Sequence, residues 1–322
     1  MRIPADIIEP QMVIEGAGVL LRRSFGPSRA NPFDPFLLFD HFAFNDPIEG
    51  PIVGFPMHPH RGIETVTYML EGSVRHRDSL GNAGVIGPGD VQWMTSGRGI
   101  MHEEMPRRGP GGAVKGFQLW VNLPASLKMS TPRYQEIVAD GLPVVEKDGV
   151  RVRLVAGTFE GVTGPVTEIA ARPVYGEIIL APGAGVDLPV PAGHTGVAYV
   201  FEGSAAFGPN GPSTEPAPRP GRRPEGARPR PFGMLREGER PSEAEGLRSG
   251  DARWVEAVRM VVLGEGEGLT VRGHPETGAH FMLMAGAPIG EAIVPYGPFV
   301  MNTEEEIRQA LADLRSGTFV AN

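Results

Sequence analysis

The run TYMLEGS at Thr67 to Ser73 returns as AYVFEGS at Ala198 to Ser204. Each is an apolar segment closed by Glu-Gly, where glycine can take the positive φ of a tight turn. A turn-bounded apolar strand that occurs twice predicts two copies of one β-unit. Carried back without gaps, the alignment sets Pro189 and Pro191 opposite His58 and His60, and Thr195 opposite Glu64. The second copy therefore lacks a ligand set. His194 stands alone there, and we expect an ordered, metal-free barrel that supports the first.

The first copy is flanked by His58-Pro59-His60 and by His102 with Glu104 two positions later. Side chains two apart on a strand share a face, so each pair can converge on one point. Neither spacing suits a helix, where ligands stand three or four apart. Proline drives His58 into the extended region and itself belongs at a sheet edge or beside a bulge. Glu103 adjoins His102, but parity sends it to the other face and selects Glu104. A lone strand histidine is more often a hydrogen-bonded structural residue than a ligand. Two spaced pairs with glycine-rich turns between them instead predict a site of three imidazoles and a carboxylate. His41, His76, His194, His274 and His280 lack such partners and read as structural, with His76 near enough to reach the pocket rim.

The fold class follows from the punctuation. Glycine at 45 and proline at 33 among 322 residues, with few aromatics, suit many short strands and tight turns, so we expect an all-β protein of two domains. Strands are predicted around His58 to Glu71, Ser73 to Asp78, Val91 to Thr95, the segment bearing His102 and Glu104, and Phe117 to Asn122. Turns fall at Gly81-Asn82 and Gly87 to Asp90. This regular spacing suits a small closed barrel whose inward positions hold a ligand. Pro209 to Arg248 is rich in proline, arginine, glycine and glutamate, and reads as a disordered insertion, with Val255 to Leu263 resuming the barrel. Thr303 and Glu306 form a capping box for a C-terminal helix with Ile307, Ala310, Leu311 and Leu314 on its apolar face, and Gly317 ends it.

A net charge of −8 without a basic run in the folded segments argues against direct nucleic-acid or anionic-membrane binding. The chain has no cysteine, so any metal is held by nitrogen and oxygen. No signal-peptide core lies in Met1 to Glu15, and no transmembrane-length apolar run occurs, which predicts a cytoplasmic protein.

The segment from His58 to Met105, HPHRGIETVTYMLEGSVRHRDSLGNAGVIGPGDVQWMTSGRGIMHEEM, closely resembles the signature region of the pirins. The likeness extends through DPFLLFDHF before it and GEAIVPYGPFVMNTEEEIRQALADLRSGTF after it. It implies a bicupin: two cupin-type β-barrels with a short C-terminal helix. Residues 1–135 would form the metal-binding cupin and 136–322 the metal-free one, interrupted by the insertion 209–250, which departs from the family pattern. The resemblance further implies one iron, most simply Fe(II), on His58, His60, His102 and Glu104. Glu64 matches a glutamate that many other cupins use as a ligand, and is left beside the site. Imidazole and carboxylate also accept manganese, nickel, cobalt, copper or zinc.

Four protein ligands on an octahedral iron leave two positions, enough for a substrate oxygen and O2 or water. Some pirins resemble flavonol 2,3-dioxygenases, which open the central ring of quercetin with loss of carbon monoxide. On that analogy the partners are a small aromatic substrate and O2, and Glu104 is the candidate catalytic base. The rival expectation is a regulatory protein whose iron senses redox state and whose surface binds a transcription factor or a metabolic enzyme. A cupin isomerase or sugar-binding module fits the motif order less well. Phe55, Met57, Trp93 and Met101 lie close enough in sequence to the ligand strands to wall a pocket, and equally suit a core.

Overall fold

The structure, a computed structural model, describes residues 1–44, 53–209 and 254–320. Beyond Pro209 the arginine- and proline-rich insertion lies outside the described residues. Strands dominate, and Glu304–Ser316 is the α-helix among the described residues.

The first half supplies β1 (Pro4–Ile8), β2 (Gln11–Glu15), β3 (Val19–Phe25), β4 (Phe36–Phe44), β5 (Phe55–His60) and β6 (Ile63–Glu71). These are followed by β7 (Ser73–Asp78), β8 (Ala83–Ile86), β9 (Val91–Thr95), β10 (Ile100–Arg107), β11 (Val114–Asn122) and β12 (Arg133–Ile137). A seven-stranded sheet runs β12-β9-β6-β11-β4-β3-β2, and a four-stranded sheet runs β5-β10-β7-β8. Together they form the first barrel. The repeat is real in three dimensions: Thr195–Phe207 occupies in the second barrel the place of β6, and Gly72 and Gly203 end the matching segments at φ 75° and 67°. A side chain at Gly72 would meet the Ala113 and Arg107 carbonyls at 2.7 and 2.8 Å, and one at Gly203 would meet the Gly278 carbonyl.

Period-two alternation divides the larger sheet of the first barrel into two buried faces. Phe39, Val66, Tyr68, Trp93, Phe117 and Leu119 turn outward and pack on Tyr175, Val197, Tyr199, Met282 and Met284 of the second barrel. Their alternates face into the first barrel. The second barrel is filled by Val152, Leu188, Val190, Val200, Val271, Phe281 and their neighbours, an apolar interior.

The chain ends cross the linear division at residue 135. β1 pairs with the strand Arg259–Leu263 of the second barrel, where Arg2 donates to the Gly264, Pro191 and His194 carbonyls. Conversely, the hairpin Val294–Tyr296 and Phe299–Met301 and the helix Glu304–Ser316 pack against the first barrel, with Leu37, Ile63 and Trp120 contacting Ile293 and Val300. The helix, α1, starts at the Thr303–Glu306 capping box and stops at Gly317, φ 75°. Ile307 and Ala310 are buried, whereas Leu314 at the end of the stripe is exposed.

Candidate metal centre

β5 is the edge strand of its sheet, so Pro59 withholds no hydrogen bond from an outer neighbour. His58 lies opposite His102 on β10, and the register slips between His102 and Glu104, which pairs with Phe55. The slip falls at Pro56 and Met57, while Pro59 keeps its register with Met101. Ring centroids are 4.3 Å apart for His58 and His102, 5.0 Å for His60 and His102, and 4.9 Å for His58 and His60. One nitrogen from each ring lies within 4.8 Å of the others.

Hydrogen bonding fixes which nitrogens face the centre. The His58 Nδ1–H donates to the Pro56 carbonyl at 2.9 Å and the His60 Nδ1–H to the Pro298 carbonyl at 3.2 Å. A carbonyl only accepts, so both protons reside on Nδ1 and both Nε2 atoms present lone pairs. Those atoms are 3.1 Å apart. Burial keeps the rings neutral: it lowers the His58 pKa, takes His60 to about 3 with help from His58, and holds His102 well below its ordinary value. Two neutral lone pairs directed at each other repel unless a cation lies between them. Both ring nitrogens of His102 are buried without a protein partner. The donor set therefore fits a divalent transition metal.

Glu104 is placed differently from the three imidazoles. It lines the same cavity but is outside the group of converging nitrogens, and its Oε1 accepts from the Thr67 hydroxyl at 3.2 Å. Burial pushes its carboxyl up to about 7 despite that donation. Glu103 obeys parity, facing outward to Arg77 at 3.2 Å and Arg75 at 3.7 Å.

The centre opens into a cavity of about 710 Å³ walled by Val19, Leu21, Leu38, Phe42, Phe55, Val74 and Trp120. Across its floor runs a ladder of polar residues. Thr67 pairs with Gln118, Gln118 with Asp40, and Asp40 with Arg23, from β6 through β11 and β4 to β3. The Thr67 hydroxyl, whose single proton is shared between Glu104 and Gln118, lies 3.1 Å from the Gln118 Oε1, Arg23 grips Asp40 through two bonds of 2.8 and 2.7 Å, and Glu15 holds the other side of Arg23 at 2.8 Å. The ladder leads from Glu104 to Glu15, whose side chain is exposed.

Several expected neighbours belong elsewhere. Glu64 shares the parity of Val66 and Tyr68, so it turns away from the metal side and accepts from Thr95 at 2.7 Å. Trp93 is in the core between the barrels, and Met101 packs under the C-terminal helix, which leaves Phe55 and Met57 on the cavity. His76 does not line the cavity. It is fully buried behind His102, with ring centroids 5.4 Å apart, and stacks on Tyr134 at 5.1 Å. Thr67, Gln118, Asp40 and Trp120 were not singled out from the sequence. A detectable signal existed for two of them: Asp40 interrupts the apolar run FLLFDHF, and Thr67 does the same in β6.

A family model described as Pirin matches residues 18–121, and one described as the Pirin C-terminal cupin domain matches residues 244–320. A pirin-like protein of Caulobacter vibrioides is 40% identical over 315 residues, 97% of either chain. A Pseudomonas aeruginosa protein provisionally named a quercetin 2,3-dioxygenase is 41% identical over 94% of this chain and 93% of its own, and human pirin is 38% identical over 94% and 88%. Among solved structures, a quercetin 2,3-dioxygenase from Acinetobacter baumannii superposes with a TM-score of 0.76 at 29% identity, covering 99% of both chains. The Escherichia coli pirin YhhW in complex with nickel(II) shares the fold, with a TM-score of 0.58 at 15% identity over 88% of this chain and 99% of its own.

Proposed function

The chain belongs to the pirin family of bicupin proteins, and from that premise we propose that it is a metal-dependent dioxygenase of flavonol-type, quercetin-like substrates. One iron ion would be held by His58, His60, His102 and Glu104. The observation that carries this reading is the opposed Nε2 lone pairs of His58 and His60, 3.1 Å apart on an aromatic-walled cavity. The names carried by the Pseudomonas and Acinetobacter relatives support the choice of reaction.

When bound, the ion supplies Lewis-acid and redox chemistry toward dioxygen. The remaining work is done by side chains. Glu104, with Thr67 on its Oε1, would take the proton of the substrate's 3-hydroxyl. Phe42, Phe55 and Trp120 offer flat apolar contact to a fused ring system. Gln118 and Asp40 face hydroxyls farther along the cavity. Glu15 and Asp40 against Arg23 leave that end with two carboxylates and one guanidinium, net −1, which favours a neutral phenol over a carboxylate or phosphate ester.

The test is to load the protein with iron, confirm the metal by elemental analysis, and follow oxygen uptake and carbon monoxide across a flavonol panel. Consumption of a flavonol with carbon monoxide release supports the dioxygenase. Silence across the panel by fully loaded protein removes it and leaves the redox-sensing regulatory reading.

A further inference from the structure

The two histidines of β5 are aligned by unequal means. His58 donates to Pro56, two residues away on its own strand, whereas His60 donates to Pro298, which the chain reaches only after building the second barrel. The residues that follow His60 are held by that same C-terminal segment. Arg61 is buried; it forms a 2.7 Å ion pair with Asp313 of α1, its Nε donates to the Arg98 carbonyl, and its guanidinium lies 4.5 Å from the centre of the Phe319 ring. The Arg61 carbonyl accepts from Val300 N–H at 3.2 Å, and Arg61 bridges to Phe299. Gly62 has no room for a side chain because the Val300 carbonyl lies against it. Buried Lys128 donates to Gly62 O, Val300 O and Asn122 Oδ1 at 2.9, 2.8 and 2.7 Å, joining the two segments from below.

We propose that the C-terminal segment 294–320 is a positioning element of the metal centre: the Asp313–Arg61 ion pair and Phe319 seat the Val294–Met301 hairpin so that the Pro298 carbonyl sets the tautomer and ring orientation of His60. Asp313, Arg61 and Phe319 are thus positioning residues that act through a backbone carbonyl. Carbonyl or carboxylate partners of metal-bound imidazoles raise ligand basicity and fix ring orientation, and their loss typically weakens metal binding by about 10–100-fold. Removing Asp313 would also strand the Arg61 charge in a buried place, which displaces the hairpin rather than only loosening the helix. This inference rests on the metal reading above, and the experiment separates the two.

Cobalt(II) serves as probe, because its visible absorption reports ligand geometry and a chelator competition gives its affinity. Asp313→Asn, nearly isosteric, and Phe319→Leu are each expected to weaken cobalt binding about tenfold or more and to alter the visible spectrum. Asp313→Glu should restore part of both. Thr303→Ala removes the helix cap without touching Arg61, so it should lower the melting temperature while leaving affinity and spectrum as in the wild type. Wild-type affinity and spectrum in both Asp313→Asn and Phe319→Leu would overturn the proposal. So would equal losses in Thr303→Ala, since those would trace the effect to helix stability alone. A wild-type chain that takes up no cobalt, nickel or iron would instead remove the metal reading, and this proposal with it.

Discussion

Tyr68 donates to Glu177 at 2.8 Å across the seam between the two barrels, one residue along β6 from the threonine that holds Glu104. Glu177 also meets Arg153 at 3.4 Å and His280 at 2.9 Å, so it keeps partners when the phenol is removed. Tyr68→Phe should therefore cost about 1.5–2 kcal/mol, the lower part of the range for a hydrogen bond to a charged group. Urea unfolding of the two proteins measures it, and metal content should be unchanged. A loss of less than about 0.3 kcal/mol would show that the seam is held by apolar packing alone.

Glu64 provides a pH prediction separate from the metal. Burial raises its carboxyl from 4.5 to about 7, with Thr95 and Trp93 opposing the shift. A carboxyl raised on folding contributes stability that is fully present below about 4.5 and is lost as pH climbs through about 7. Glu64→Gln retains an acceptor for Thr95 and abolishes the titration. Between about pH 5 and about pH 8 it should lose less stability than the wild type, by roughly 2 kcal/mol. Parallel slopes in chemical denaturation at the two pH values would exclude the effect.

Glu104→Gln keeps the size of the side chain and its acceptor for Thr67 but removes the proton acceptor. Metal content at saturation should be largely retained, while flavonol-dependent oxygen uptake falls by about 100-fold or more. Full turnover in the substituted protein would reject Glu104 as the base.

His102 completes the triangle of imidazoles and has no hydrogen-bond partner on either nitrogen, so its loss should affect the metal first. His102→Ala is expected to reduce bound metal to below about a tenth of an ion per chain after dialysis against a weak chelator. A strong chelator should also lower the melting temperature of the wild type, as removal of a ligand specific to the native state requires, while leaving the variant unchanged.

Gln118 lies mid-ladder, bonded to Thr67 and in register with Asp40. Gln118→Leu should weaken binding of a hydroxylated flavonol about tenfold while a flavonol lacking the distal hydroxyls binds as before. Isothermal titration with the two ligands distinguishes them. Equal weakening would mean that the side chain only shapes the wall.

Strand parity made the histidine cluster legible: the convergence of His58, His60 and His102 and the outward turn of Glu103 follow from alternation, whereas Glu104 lines the same cavity without joining the converging nitrogens. The repeat announced the second barrel because Glu-Gly closes an apolar strand in both halves. Alternation needs a reference face, however, and β6 is buried on both. Nothing local tells that Glu64 and Trp93 look toward the other barrel while Thr67 looks toward the ligands. The polar ladder was hidden for a related reason, since Thr67, Gln118, Asp40 and Arg23 are scattered along the chain and meet only through sheet register. The crossing of the chain ends leaves no local trace either: β1 and Val294–Met301 are ordinary strand sequences, and their partners are chosen by long-range pairing.

The distance in sequence between His60 and Pro298 gives the centre a place in time. During synthesis every proposed ligand leaves the ribosome with the first third of the chain, yet the Pro298 carbonyl that accepts from His60 emerges near the end, followed by Asp313 and Phe319. A nascent chain therefore carries all its ligands long before it can finish the centre. On the proposed reading, metal loading into the final geometry would be a post-translational event, and a product cut short by a late stop codon would own the proposed ligands without the element that aligns them.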